Sequence, residues 1–427
     1  MATLPKTPAM QPARTLLTLV PPAPRVVRDI TASNVSAGLT AVLFYTFGAV
    51  PVFLGVTATM PLTAAEVSSW YFIAFLTSGV ATIALSLRYR QPLAIGFTLP
   101  GLVLLSAASA HYSLAQMMGA CLLAGLAILG LAAFGLVERL MRALPLPLVL
   151  GMFVGSTLHY LTGVFTQFDA SPGVVGAALA GYLTALTLRR TWLPPVAGAV
   201  VVGIAAAAMS GGLRFDQLRW GTPEVHVIAP AFDFAAVLTL TLPLVILVVA
   251  SGNVQGLGVL AGQGYVPPVR ATTYVVGLAS IVNSIFGSQS ATVQNVGTGI
   301  LAGEEAGERD RRYVATVVAG LGCVVLACAA TFAGGLVGVL PAGLVAAFAG
   351  LAVLRTLLDT TQKALTTDLP TGAFVALAIA ASPLSMFGIG PALWALVGGY
   401  AVSFVVERTA LRASARCLPC EAAQASR

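Results

Sequence analysis

Charge is what this 427-residue chain has least of: 22 basic and 15 acidic residues make up 9% of the sequence. A soluble domain carries about 25% charged residues, so a chain this poor in them is not an ordinary globular domain. Acidic and histidine side chains are so sparse inside the apolar runs that His159 is the only ionisable residue well within one. A membrane-embedded enzyme needs His, Asp, Glu or Cys gathered at helical spacing, and no such gathering exists. Nor is there a ring of charge of the kind a selective channel needs. The five cysteines form no metal pattern: Cys121, Cys323 and Cys328 sit in apolar runs as small core residues. Cys417-x-x-Cys420 is a lone pair near the end of the chain, which is weak ground for zinc. The first thirty residues contain no apolar core of signal-peptide type, and only about twenty residues follow the last apolar run.

What the chain has instead is apolar length. Hydrophobic residues make up 58% of it, and the mean hydropathy is +0.92. Runs long enough to cross a bilayer recur from Val35 to Val406. We place spans near 35–59, 68–86, 93–108, 114–137, 146–165, 174–188, 194–209, 234–260, 271–285, 289–301, 314–336, 342–358, 369–382 and 389–406. With the N-terminus inside, twenty of the 22 Lys and Arg residues fall on the cytoplasmic side, and only Arg214 and Arg219 fall outside. Dropping one span would reverse every later loop and destroy that asymmetry. The net charge of +7 is thereby explained by loop orientation, and no nucleic-acid partner is called for. The expectation is an all-α polytopic membrane protein with fourteen spans and both termini cytoplasmic. Its parts are a disordered tail 1–30, a seven-span repeat 31–211, an extracytoplasmic linker 212–231, a second seven-span repeat 232–410 and a tail 411–427. Seven is odd, so the second repeat is inverted relative to the first.

The repeat has its own signature. Leu-Pro-x-x-Leu-Val occurs at Leu144–Val149 and again at Leu340–Val345, 196 residues later. The same offset carries Gly176, Ala177, Ala180 and Ala185 onto Gly372, Ala373, Ala376 and Ala381, and Pro195 onto Pro391. It also pairs two spans that do not read as ordinary helices. Span 3 runs Gln91-Pro92-Leu93-Ala94-Ile95-Gly96-Phe97-Thr98-Leu99-Pro100-Gly101, and span 10 runs from Gly287 through Gln294-Asn295-Val296-Gly297 to Gly299. Under the offset Thr98 falls on Gln294 and Gly101 on Gly297. Short spans interrupted by Gly and Pro at matching places in two halves mark a transporter's binding site. Irregular backbone at membrane depth survives only inside protein or beside a wet cavity. A half-helix starting there exposes N–H groups and a positive dipole end, suited to an anion or a polar ring.

Polar residues in other spans point to the same place. Ser251, Asn253 and Gln255 interrupt an apolar run in span 8, and buried amides need partners inside the protein. Helix-to-helix hydrogen bonding is the competing reading for each of them taken singly. Tyr45 in span 1 and Phe97 in span 3 could sandwich a flat ring, although core packing explains such aromatics as well. His159 can carry a proton by its ordinary pKa, but it lies away from the broken segments and reads better as a structural or gate residue. Asp233 and Asp359 sit near span ends, where solvation accounts for them.

These stretches together resemble the benzoate membrane transport protein (BenE) family of bacterial proton symporters. The resemblance rests on Ala32-Ser33-Asn34-Val35-Ser36-Ala37-Gly38-Leu39, Leu87-Arg88-Tyr89-Arg90-Gln91-Pro92 leading to Pro100-Gly101, and Leu242-Pro243-Leu244 with Ala250-Ser251-Gly252-Asn253. It continues in Ala261-Gly262-Gln263-Gly264-Tyr265, Arg311-Arg312-Tyr313 and Leu340-Pro341 through Ala349-Gly350-Leu351. It implies distant kinship with nucleobase transporters of seven-plus-seven architecture. It further implies a core domain (spans 1–4 and 8–11), a gate domain (spans 5–7 and 12–14), and a substrate between spans 3 and 10. It allows a homodimer through the gate domain and a place in the bacterial cytoplasmic membrane. Nucleobase transporters often carry carboxylates in spans 8 and 10, where this chain has Gly252 and Gln294. Losing two negative charges suits an anionic substrate. Two features differ or pull the other way. Family members carry Trp-Ser-Thr-Pro-Gly where this chain has Phe97-Thr98-Leu99-Pro100-Gly101, and Gln294-Asn295-x-Gly297 resembles a nucleobase-transporter signature.

The reading is a secondary active transporter importing benzoate or a related aromatic carboxylate with a proton, without metal or cofactor. Its candidate site is Tyr45, Phe97, Thr98, Gly101, Ser251, Asn253, Gln255, Gln294, Asn295 and Gly297. The alternative is a nucleobase/proton symporter of the same architecture.

Overall fold

The computed structural model describes residues 23–137, 145–188, 195–215, 221–384, 386 and 391–411. Cys417 and Cys420 lie outside them. A short helix, Ala23–Asp29, occupies what the sequence reads as tail, and it is held from its end. The Asp29 carboxylate takes an ion pair from Arg90 at 2.6 Å and a hydrogen bond from the Tyr313 hydroxyl at 2.7 Å.

The described chain is mostly helical. A helical stretch over 32–57, here α1, comprises Ala32–Phe44, a π turn Tyr45–Ala49 and Val50–Thr57. Then come α2 (Ala64–Tyr89), β1 (Ile95–Phe97), α3 (Leu99–Ala108), α4 (Leu114–Phe134), α5 (Leu146–Thr166), α6 (Pro172–Leu188) and α7 (Pro195–Met209). After the linker follow α8 (Phe234–Ala261), α9 (Val269–Ile285), β2 (Ala291–Val293), α10 (Asn295–Ala302), α11 (Tyr313–Cys328) and α12 (Ala330–Val339). The last three are α13 (Ala342–Leu365), α14 (Pro370–Ala381) and α15 (Pro391–Val406). Among the described residues, five helices are long and apolar enough to cross a membrane: Ala64–Tyr89, Leu114–Phe134, Pro147–Thr166, Phe234–Ala261 and Arg309–Cys328.

Local chemistry sets many of these ends. Thr31, Thr63 and Ser113 open α1, α2 and α4 with reciprocal capping boxes to Asn34, Glu66 and Gln116. Proline disturbs two ladders. Pro51 follows the π turn Tyr45–Ala49 in α1, and Pro243 follows a π segment, Val237–Thr241, in α8. Each proline lacks the N–H that would close the preceding turn, so the hydrogen bonds slip by one residue. A second π segment in α8, Leu247–Asn253, carries the polar run expected in span 8.

The 196 offset survives in the elements. It carries β1 onto β2, the start of α3 onto that of α10, the start of α5 onto that of α13, and the start of α7 onto that of α15. Packing separates two groups. α1 and α2 lie on α11, and α4 lies on α9 and α8. α5 packs on α13 and α14, α6 on α7, and α14 on α15. The second group has its own apolar cluster, drawn from Val164, Val175, Tyr182, Ala199, Leu344 and Phe348.

Candidate functional site

The two strands meet each other. β1 and β2 pair antiparallel, with Ile95 opposite Val293, Gly96 opposite Thr292 and Phe97 opposite Ala291. The ladder is extended by Thr98 N–H to the Ser290 carbonyl at 3.0 Å and by Gln294 N–H to the Ala94 carbonyl at 2.9 Å. Shifting either set of residues by 196 yields the other, so a local two-fold axis passes through the Gly96–Thr292 pair. The first N–H of each strand is received by a helix hydroxyl, Ile95 by Thr82 at 2.8 Å and Ala291 by Ser280 at 3.0 Å. A pair of three-residue strands can thus lie in the middle of a helical protein without orphaned backbone.

Each strand turns into a helix at an extended N-cap residue: Thr98 (φ −77°, ψ 108°) for α3 and Gln294 (φ −77°, ψ 131°) for α10. There the symmetry ends. The Thr98 hydroxyl accepts the Gly101 N–H at 3.1 Å, and Pro100 has no N–H to satisfy, so the start of α3 is closed. Gln294 makes no such bond, and α10 begins uncapped. Val296 N–H is taken by the Asn295 side chain at 2.7 Å, which leaves the Asn295 and Gly297 N–H groups without a side-chain cap.

Two amides sit at the junction of β2 with α10. Asn253, 2% exposed at the end of the π segment, accepts the Val293 N–H at 3.0 Å and the Thr292 hydroxyl at 3.4 Å through Oδ1. Its Nδ2 is buried without a hydrogen-bond partner among the described residues, and so is Gln294 Oε1. Alternation along the strands puts Gly96, Thr292 and Gln294 on one face of the ladder, the face that α8 covers. The Gln294 side chain lies across Gly96, in the space a Cβ would need, and its Oε1 and the Tyr45 hydroxyl both lie against Gly297. α8 can come this close because a Cβ at Gly252 would strike the Thr292 hydroxyl. A carboxylate-bearing residue at position 252 has no room in this packing. α1, β1, α3, α8, β2 and α10 together contain no charged residue and no histidine.

The other expected residues fall in varied places. Asn295 donates to Gln255 Oε1 at 3.0 Å on the exposed side of the α8–α10 contact. Phe97 belongs to a buried aromatic cluster, edge-on to Phe53 at 5.8 Å and to Phe75 at 5.2 Å. Gly101 lies on the Thr98 methyl and Leu244 in the first turn of α3. Ser251 is in the π segment of α8. His159 is apart from this constellation: on α5, its Nδ1 lies 2.8 Å from the Ser156 carbonyl and its ring stacks on Tyr160 at 3.9 Å.

One residue escaped the sequence reading. Gln289, fully buried just before β2, accepts hydrogen bonds from the Trp70 indole N–H and from Ser288, while Asn283 donates to its carbonyl at 2.9 Å. This network ties α2 and α9 to the root of β2. The offset maps Gln289 onto Leu93, so the repeat gives no hint of it.

Comparison with known proteins follows the same lines. The family model described as "Benzoate membrane transport protein" matches residues 28–405. The inner membrane protein YdcO of Escherichia coli is 28% identical over 380 residues, covering 88% of this chain and 96% of that protein. The benzoate membrane transport protein of Acinetobacter baylyi is 25% identical over 386 residues, covering 89% and 96%. Among solved structures, the transmembrane domain of the cyanobacterial bicarbonate transporter BicA superposes with TM-score 0.61 at 14% identity, over 86% of this chain and 96% of that one. The murine Solute Carrier 26 family member A9 anion transporter, in its inward-facing state, gives 0.56 at 15% identity, over 89% and 68%. At these identities the structures establish a shared membrane-transporter fold.

Proposed function

The chain belongs to the benzoate membrane transport protein family, a family of transporters and not of enzymes, and we propose that it imports benzoate or a related aromatic carboxylate together with a proton. The observation that carries this is the uncapped start of α10, with Gln294 Oε1 and the Tyr45 hydroxyl against Gly297 and the unpartnered Asn253 Nδ2 on the residue bonded to Val293 just before it. The Asn295 and Gly297 N–H groups and the dipole end offer donors to a carboxyl group. Tyr45 lies beside them as an aromatic wall, and the Phe97 cluster stiffens β1 behind it.

The architecture we propose is fourteen spans in two inverted repeats of seven, with both termini in the cytoplasm of a bacterial cell. The coinciding element starts and the two-fold register of the ladder support the repeat. The separation of α5–α7 and α13–α15 from the remaining helices supports a gate moving against a core.

Labelled benzoate uptake into proteoliposomes under an inward proton gradient tests the function. Accumulation that collapses with the gradient is expected. No benzoate uptake, with uracil or xanthine uptake in its place, would transfer the site to a nucleobase.

A further inference from the structure

We infer that the species this site binds and carries is the neutral carboxylic acid, so that the coupled proton crosses on the substrate itself. The inference rests on the benzoate reading of the site.

The first ground is charge. The six elements around the open start of α10 hold no Lys, Arg, His, Asp or Glu. A bare carboxylate drawn there would be stripped of water with no counter-ion, against only a half-helix dipole and two amides. A neutral acid avoids that cost. The second ground is hydrogen-bond polarity. An anion has acceptors only. The site offers donors at Asn253 Nδ2 and the Asn295 and Gly297 N–H groups, but it also presents an unpartnered acceptor, Gln294 Oε1. A carboxyl group with its proton has both halves: its carbonyl oxygen accepts from the donors and its O–H donates to Gln294. The Asn253 amide is oriented by Val293 N–H and Thr292, which fix Oδ1 on the strand and turn Nδ2 away from it.

The third ground is the lack of another carrier. Titratable groups on the elements packed around the site are Tyr45 on α1, Glu66, Tyr71, Arg88 and Tyr89 on α2, Cys121 on α4, His159 and Tyr160 on α5, Arg270 and Tyr274 on α9, Tyr313, Cys323 and Cys328 on α11, Arg355, Asp359 and Lys363 on α13, and Tyr400 on α15. Of the two carboxylates among them, Glu66 is engaged in the Thr63 capping box at the start of α2, and Asp359 falls past the end of span 12. Glu304 and Glu305 follow α10 at the surface. Phenols and thiols keep their protons at neutral pH by their ordinary pKa values. His159, exposed and engaged with Ser156 and Tyr160, makes no ion pair with a described carboxylate. On the side of uptake, benzoate and a proton form one O–H bond. On the side of release, the same bond breaks to give the anion and the proton. One proton moves per carboxylate, and no protein group changes its protonation state.

Equilibrium binding to the purified protein in nanodiscs, between pH 6 and pH 8, tests this with two probes, benzoate and benzamide. Benzamide keeps a donor and an acceptor at every pH and never ionises in this range. Above the ordinary carboxyl pKa of about 4, the neutral fraction falls about tenfold per pH unit. The apparent Kd for total benzoate should therefore rise about tenfold per unit, while that for benzamide changes by less than about twofold. A benzoate Kd that is flat with pH would overturn the inference and leave the benzoate reading standing. A benzamide affinity that follows the same pH slope would also overturn it, because a protein group would then be titrating. No benzoate binding at any pH would bring down the site reading and the inference with it.

Discussion

The starts of α3 and α10 occupy equivalent places around one local two-fold axis, yet one is closed and the other open. Both follow a three-residue strand, and both N-cap residues sit at φ −77°. The difference lies in two residues. Thr98 is short enough to fold back on Gly101 N–H, and Pro100 removes a further donor. Gln294 is too long for the same bond and lies across Gly96 instead, with Asn295 and Gly297 N–H left uncapped. Duplication supplies two helix ends at the protein's centre. Divergence at the cap residue makes one of them scaffold and the other a candidate binding surface.

The most damaging way to break this comparison is to remove the amides at the open end. Gln294→Ala and Asn253→Ala should each lower benzoate uptake by about tenfold or more at equal membrane abundance, since each leaves a buried polar group of the bound acid unsatisfied, at a cost of about 1–3 kcal/mol. Asn253→Ala should also lower thermal stability, since it orphans the Val293 N–H. Unchanged uptake in both variants would remove the site. A smaller effect is expected from Gly96→Ala. The methyl would displace the Gln294 side chain, so a several-fold rise in KM with little change in Tm is expected.

Exchanging the caps sharpens the comparison further. Gln294→Thr places at α10 the residue that closes α3. It should stabilise the protein by up to about 1 kcal/mol in a denaturation assay while lowering uptake. Thr98→Val does the reverse to the closed end: it should cost about 1 kcal/mol of stability and leave benzoate affinity within about twofold. If Thr98→Val cost affinity as much as stability, the division of labour between the two ends would be wrong.

Sequence reading reached this pair because it depends on features that sequence displays directly. Polar and Gly/Pro interruptions stand out against apolar runs, and the offset aligns them, so spacing alone matches Thr98 to Gln294. What that reading treats alike is the two helix starts. Whether a cap side chain reaches its N–H depends on length and rotamer, which spacing does not reveal. Three further features follow tertiary contacts. The helix Ala23–Asp29 exists because Arg90 and Tyr313, distant in sequence, hold Asp29. Span 11 divides at Ala329 into α11 and α12 without a proline to announce it. Gln289 is buried by a bond to Trp70 across 219 residues.

The smallest expected effect lies far from the site, in the second group of helices, and shows a third way of treating a helix start. α14 begins at Pro370, and its N–H groups are capped from the end of α15. Glu407 accepts Thr371 N–H at 2.7 Å, Gly372 N–H at 3.1 Å and the Ser403 hydroxyl at 2.9 Å. Burial by itself raises the Glu407 carboxyl, but the three donors outweigh it and hold its pKa below the ordinary carboxylate value. A depressed carboxyl pKa means the folded state binds the proton less readily than the unfolded one. Its stabilisation is therefore fully present above the ordinary carboxylate range and is lost as pH falls through the lowered folded-state value. Glu407→Gln should lower Tm slightly at pH 7 and not at all once pH is below the lowered folded-state value, with benzoate affinity equal to that of the unmutated protein at each pH. A mutant whose Tm deficit persisted undiminished into acid would show that Glu407 acts by shape and not by charge. The charged cap would then belong with Thr98, a closed end held by ordinary hydrogen bonds.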